Sequence, residues 1–164
     1  MEYREITIDE AGDYLQLLLQ LDSESTFMLY EPAERMTTVE EMRQRIMRVQ
    51  KDGNLLLGAF QDGELVGFIS ATIGFARRIS HSAYLVTGVL KKSSGRGVAT
   101  SLFEKMEAWA LTKNLEKLEL TVMCHNERAV ALYQRRGFEI EGTKRNSVKV
   151  DGKLLNEYYM GKCI

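Results

Sequence analysis

Two Asp-Gly pairs, Asp62-Gly63 and Asp151-Gly152, constrain this chain more than any other feature. Each lies between runs of β-forming residues: Leu55 to Phe60 before Glu64 to Ala76, and Phe138 to Val150 before Leu154 to Met160. A two-residue hairpin turn whose twist matches its strands needs positive φ at both central positions, which Asp-Gly supplies at low steric cost. The chain therefore contains at least two antiparallel hairpins. The run from Glu64 is long for a strand of the usual ~5–6 residues, which places a bend at Gly67 or Gly74. A further strand is expected over Ala83 to Leu90, with Gly88 marking a bulge.

Helical spacing fills the space between these runs. Glu5 to Ile8 reads as a short strand, and Asp9 as the cap of a helix carrying Tyr14, Leu15, Leu17, Leu18 and Leu21. Residues 22–36 read as irregular and hold the single proline, Pro32. Thr38-Val39-Glu40-Glu41 has the form of a capping box, opening a helix with Val39, Met42, Ile46 and Val49 on one face. A third helix carries Val98, Ala99, Leu102, Phe103, Met106 and Ala110, with Asn114 at its end. Lys117 to Val122 alternates as a strand. Asn126 to Arg136 reads as a short helix stopped by a left-handed Gly137. The strand–helix–strand units at 83–122 and 117–142 each predict a right-handed crossover between locally parallel strands.

The chain has 164 residues, 45% hydrophobic and 27% charged, with a formal net charge of −1. That composition predicts one ordinary globular domain, 1–164, and argues against disorder, coiled coil, or a general nucleic-acid or anionic-membrane binder. Two cysteines make neither a disulfide framework nor a four-ligand zinc site, and no metal site is expected. The charged start, Met1-Glu2-Tyr3-Arg4-Glu5, has no apolar signal region, and the most apolar stretch, Leu65 to Ala76, falls far short of the ~20 residues that span a bilayer. A cytoplasmic location is expected.

Gly95-Arg96-Gly97-Val98-Ala99 sits between a strand and a helix. The first amides of a helix lack internal partners and lie at the positive end of its dipole, so a glycine loop there serves equally as a tight turn or a phosphate cradle. No Gly-x-x-x-x-Gly-Lys-Ser/Thr string is present, and Gly95-Arg96-Gly97 lacks the third small residue of a dinucleotide fingerprint. The run from Asn126 to Phe138 is fully accounted for as an Asn-capped helix with a core face of Ala129, Val130, Leu132 and Tyr133.

Taken together, Val89, the loop to Ala99, Asn126 and Leu132-Tyr133 through Gly137-Phe138 resemble the GNAT superfamily of acyl-CoA-dependent N-acyltransferases. The motifs cover the last half of the chain and the element order covers all of it. The resemblance implies an α/β (α+β) fold with a central mixed, mostly antiparallel sheet of about six to seven strands. That sheet would be splayed between the strands at 83–90 and 117–122 and flanked by about four helices. It implies acetyl-CoA as cofactor, with pantetheine against the backbone of Gly88, Val89 and Leu90 and the pyrophosphate on the amides of Ser94, Gly95, Arg96, Gly97, Val98, Ala99 and Thr100. Asn126 would bond the pantetheine arm, and Tyr133 would donate a proton to the departing thiolate. Gly97 and Ala99 match the family's Gln/Arg-x-x-Gly-x-Gly/Ala pattern, but Ser94 stands where Gln or Arg is usual. The same resemblance places residues 22–36 at the acceptor site, where Tyr30 and Glu31 would bind a cationic amine.

Transfer to a primary amine, carried by a small molecule or a peptide, makes two demands. An amine of pKa ~10.4 is only ~0.04% unprotonated at pH 7, so a proton must leave. A thiolate of pKa ~8.5 must be accommodated against a phenol of ~10, so Tyr133 acts as a hydrogen-bond donor that transfers late or has a lowered pKa. By residue type the general base is Glu31, His81, His125 or Glu157. Cys124 has no evident base partner and reads as a small buried residue. The alternatives are a catalytically weak acyl-CoA-binding sensor or partner-binding module, and a structural α/β domain whose glycine loop is only a turn. The last hairpin offers an edge for a symmetric homodimer.

Overall fold

The computed structural model describes residues 1–164. In chain order the elements are β1 (Glu2–Glu5), α1 (Ala11–Glu24), α2 (Val39–Lys51), β2 (Leu55–Gln61), β3 (Glu64–Ile73), β4 (Ser82–Val89), α3 (Val98–Thr112), β5 (Lys117–Met123), α4 (Glu127–Arg135), β6 (Glu139–Val150) and β7 (Lys153–Cys163). The strands form one seven-stranded sheet of order β1-β2-β3-β4-β5-β7-β6, in which only β4–β5 is parallel. Both Asp-Gly turns have the doubly positive φ their chemistry favours: Asp62 50°, Gly63 84°, Asp151 49° and Gly152 78°.

Local chemistry sets the helix boundaries. Thr38 accepts from the Glu41 amide at 3.2 Å, while Glu41 accepts from the Thr38 amide at 2.7 Å, closing the capping box that opens α2. Asn114 (φ 54°) and Gly137 (φ 87°) take the left-handed conformation expected after α3 and α4. The buried face of α1 packs on the sheet through Leu21 and through Tyr14, whose ring meets Phe68 edge-on at 5.3 Å. By strand alternation the opposite face carries Ile69 and Ala71, both fully buried on the α3 side. There Phe103, Tyr133 and Phe138 form a cluster with centroid separations of 5.6–6.1 Å. These residues belong to one core of 34 buried side chains.

Several expectations are corrected. The first strand is Glu2–Glu5, because Thr7 and Glu10 form a second capping box that draws Ile8–Glu10 into a 3-10 turn. Asp9 therefore lies within that turn, and Glu10 occupies the cap position of α1. α1 runs on to Glu24, so the irregular segment is shorter than 22–36. β3 stops at Ile73, and at Gly74 the chain passes so close to Ile79 that a side chain would overlap its carbonyl. The register of β2–β3 shifts beside Gly67, where Ala59 pairs Gly67 and Phe60 pairs Leu65. Gly88 marks no bulge, because the β3–β4 ladder is continuous through it. Its lack of a side chain instead admits Leu21, whose Cδ1 would lie 2.8 Å from a Cβ there. The 83–122 crossover yields the parallel β4–β5 pair, but β6 does not pair with β5, because β7 enters between them.

The first turn carries its own pH dependence. Arg4 donates to Glu10 at 2.6 and 2.9 Å, and the Thr7 amide donates to it at 2.8 Å. The Arg4 bond first, then those from Thr7, overcome partial burial and hold the Glu10 carboxyl down at about 2. A depressed folded-state pKa gives stability that is present above the unfolded value near 4.5 and is lost as pH falls through about 2. Glu10→Gln should therefore lower the urea midpoint at pH 7 and narrow its difference from wild type between pH 4.5 and 2.

Candidate active site

The parallel ladder between β4 and β5 joins only Ser82, Ala83 and Tyr84 to Lys117, Leu118 and Glu119. Beyond that point the strands part. The β3–β4 bonds Gly74 N–H to Ser82 O and Leu90 N–H to Val66 O fix which β4 residues point their backbone at β3. Alternation along the ladder then leaves Leu85, Thr87 and Val89 with main-chain groups facing the gap. At its root Tyr84 Oη and Thr121 Oγ1 meet at 2.7 Å, bridging the two strands. A cleft of about 1190 Å³ runs through the gap.

One mouth of the cleft is the loop into α3. Gly95 and Gly97 both have φ 79°, and a Cβ at Gly97 would meet nothing within 4 Å. None of the amides from Gly95 to Thr100 has an acceptor in the protein; the first helical bond is Ser101 N–H to Gly97 O at 3.0 Å. Glu24 anchors the start of this segment by accepting from the Lys91 amide at 2.9 Å, and that bond chiefly lowers its carboxyl pKa. The Arg128 guanidinium stands over the loop, 3.6 Å from where a Gly95 Cβ would be. Sequence reasoning did not single out Arg128; its only signal was its place two residues after Asn126, at the start of a helix whose docking the sequence does not specify.

Gly88, Val89, Ser94, Gly95, Gly97, Val98, Ala99, Thr100, Asn126, Tyr133 and Tyr30 all line the cleft. Three expected residues do not. The amide of Leu90 is bound to Val66 and its side chain is buried; Arg96 lines a separate recess beside Lys92; and Glu31 is exposed outside the cleft. Asn126 caps α4 through Oδ1, which accepts from the Ala129 amide at 3.3 Å, so its amide nitrogen remains free for a ligand. Among the general-base candidates only Glu157 lines the cleft, half-buried with Lys144 Nζ at 3.9 Å. His81 and His125 are exposed outside it, the latter against Phe27 at 5.1 Å. Cys124 is half-buried.

Tyr133 is 8% exposed, its ring held between Phe103 and Phe138. Burial, helped slightly by Tyr84, pushes its hydroxyl up to about 12. Of the two expected alternatives, late transfer or a lowered pKa, the second is reversed: the aromatic packing that fixes the ring also removes the water that would stabilise a phenolate.

The other arm of the cleft is roofed by Phe27, Met28, Leu29 and Tyr30 from the α1–α2 connection. This segment is tied down by Arg35, which donates to Asp22 at 2.7 and 3.1 Å and stacks on Tyr30 at 4.4 Å. Both members of the ion pair are almost fully buried, at 6% and 2% side-chain exposure.

The chain belongs to the acetyltransferase (GNAT) family, whose pattern it matches over residues 15–138. It is 32% identical over 105 residues to the L-amino acid N-acetyltransferase AaaT of Escherichia coli (strain K12); the match spans 62% of this chain and 63% of that protein. The fold is similar to a GNAT-family acetyltransferase from Streptococcus pneumoniae, with TM-score 0.94, 28% identity, and 99% and 98% of the two chains covered. It is also similar to an acetyltransferase from Salmonella typhimurium solved with its cofactor acetyl-CoA, with TM-score 0.89, 13% identity, and 99% and 93% covered. No helix is long and apolar enough to cross a membrane.

Because Arg35 and Asp22 are buried together, removing one leaves an uncompensated charge. Asp22→Ala should cost about 3–5 kcal/mol in urea denaturation, far more than loss of the exposed Arg43–Glu40 pair.

Proposed function

We propose that this protein transfers an acetyl group from acetyl-CoA to a primary amine, with both substrates bound in the cleft where β4 and β5 part. The observation that carries this reading is the row of acceptor-free amides from Gly95 to Thr100 at one mouth of that cleft. Six unpaired donors at a helix N-terminus fit a pyrophosphate. Arg128 adds the long cation that Ser94 does not supply, and Glu157 in the cleft offers a base, so both grounds for a cofactor-binding module without catalysis are weakened.

Acetyl-CoA supplies the reactive thioester. The outward backbone of Val89 and Thr87 continues the β4 ladder onto the pantetheine amides, in place of the missing β5 partners. Of the three residues expected to do this, Val89 is the one whose main chain faces the gap. The free amide nitrogen of Asn126 bonds the same arm from the α4 side. The amine reacts from its unprotonated fraction, its ammonium proton having gone to solvent, and Glu157 takes, directly or through one water, the proton that the attacking nitrogen sheds as the C–N bond forms and the thiolate leaves. Tyr133 hydrogen-bonds the sulfur as negative charge develops there. Complete transfer from a phenol near 12 to a thiolate near 8.5 is uphill by about 5 kcal/mol, so the proton stays on oxygen and the bond stabilises charge. Both cysteines are free, which suits a reducing compartment, and we place the reaction in the cytoplasm.

Calorimetric titration with acetyl-CoA, followed by an amine-panel assay of thiol release, tests the proposal; no heat and no release would overturn it. Tyr133→Phe should lower kcat about a hundredfold while changing acetyl-CoA affinity less than threefold. A neutral Tyr133 also predicts a rate that rises with pH as the acceptor loses its proton and shows no decline below pH ~10. Glu157→Gln should lower kcat/KM at pH 7 about a hundredfold.

A further inference from the structure

We infer that the Tyr84–Thr121 bridge is the end wall of the acyl pocket and confines the group this cleft transfers to a short acyl chain. The inference rests on the acetyl-transfer reading and names the side chains that set which acyl group the site accepts.

The direction of the bound thioester follows from the order of its contacts. The acceptor-free amides from Gly95 to Thr100 lie beyond the C-terminal end of β4. A ligand held there by its pyrophosphate and laid along the gap meets Val89 first, then Thr87, then Leu85. Successive gap-facing residues are ~6.6 Å apart, so these three contacts span ~13 Å of extended chain. Past Leu85 stands Tyr84, the last β4 residue paired with β5. Whatever the thioester carries therefore points at the root of the gap.

The root is closed from both strands. Tyr84 pairs with Glu119, and Thr121 lies two residues further along β5, on the same face. The Tyr84 ring thus crosses the gap diagonally where the ladder ends, and its hydroxyl meets that of Thr121 at 2.7 Å. Both side chains line the cleft. The bond ties the free end of the ring to the opposite strand, so the ring cannot swing aside without breaking it. Tyr133 places the reacting atoms beside this wall. Its hydroxyl, raised chiefly by burial, is raised further by Tyr84, so the two phenols are within electrostatic reach of each other. The sulfur that Tyr133 bonds is one bond from the acyl carbon, which leaves the acyl chain between Tyr133 and the bridge.

Calorimetry with acetyl-, propionyl- and butyryl-CoA, without acceptor, reads the wall directly. Burying a methylene is favourable wherever there is room, so an open root would bind the longer chains more tightly, and a preference for acetyl reports a steric limit. Wild type should bind butyryl-CoA at least about tenfold more weakly than acetyl-CoA. Tyr84→Ala should bring the two within about threefold, and thiol release with the best acceptor of the amine panel should follow the same order. Tyr84→Phe and Thr121→Ala break the same bond, so each should recover about threefold for butyryl-CoA and the double variant no more than either. Tyr84 is 42% exposed and Thr121 half-buried, so these variants are expected to fold, and a matching melting temperature checks it. Equal binding of the three thioesters by wild type, or an undiminished preference in Tyr84→Ala, overturns the assignment while leaving acetyl transfer standing. No heat with any acyl-CoA overturns both.

Discussion

Everything at the site follows from a ladder that stops early. β4 and β5 share three residue pairs and then diverge, although both continue as strands held on their outer sides by β3 and β7. Main-chain donors and acceptors along a sheet must find partners or remain wet. Those of Leu85, Thr87 and Val89 open onto the gap, so the protein maintains a strand edge in the middle of its own sheet. An extended ligand with amide groups completes such an edge as an added strand does. The divergence is held in place by the Tyr84–Thr121 bond at its root and by Leu21 resting where Gly88 has no side chain.

The two arms of the cleft are built on different physics. The α3 mouth offers backbone donors: left-handed Gly95 and Gly97 stand in a run of amides without acceptors, and the Arg128 guanidinium stands beside them. The opposite arm is lined by side chains on a connection fastened by the buried Asp22–Arg35 pair and the Tyr30 ring stacked on it. A buried ion pair adds little net stability against an apolar equivalent. Its value here is positional, because it holds the roof at one height above β4 and β5. Tyr133 lines the same cleft, and the burial that raises its pKa keeps its hydroxyl neutral.

Much of the fold was legible in the chain. The Asp-Gly pairs gave both hairpins, the Thr38 box gave the start of α2, and Asn114 and Gly137 gave helix ends, because each depends on φ preferences or hydrogen bonds within four residues. Two of the errors share one cause. The bulge expected at Gly88 and the pairing expected between β5 and β6 were local readings of features settled by distant partners, Leu21 for Gly88 and β7 for the space beside β5. The strand expected at Glu5–Ile8 failed for a local reason, the capping box of Thr7 with Glu10.

The glycine loop, the Asn126 cap and Tyr133 were visible as residues with two roles each, and their family resemblance pointed to one of them. What the sequence determined by itself is the set of elements and the run of amides at residues 95–100, since both arise from short-range sterics and hydrogen bonding. Only the tertiary structure decided that Glu157, not Glu31 or either histidine, lines the cleft, that Arg128 stands over the glycines, and that Arg35 is buried against Asp22. These are outcomes of how helices and strands far apart in the chain dock, and charge pairing depends on distances that no local pattern encodes.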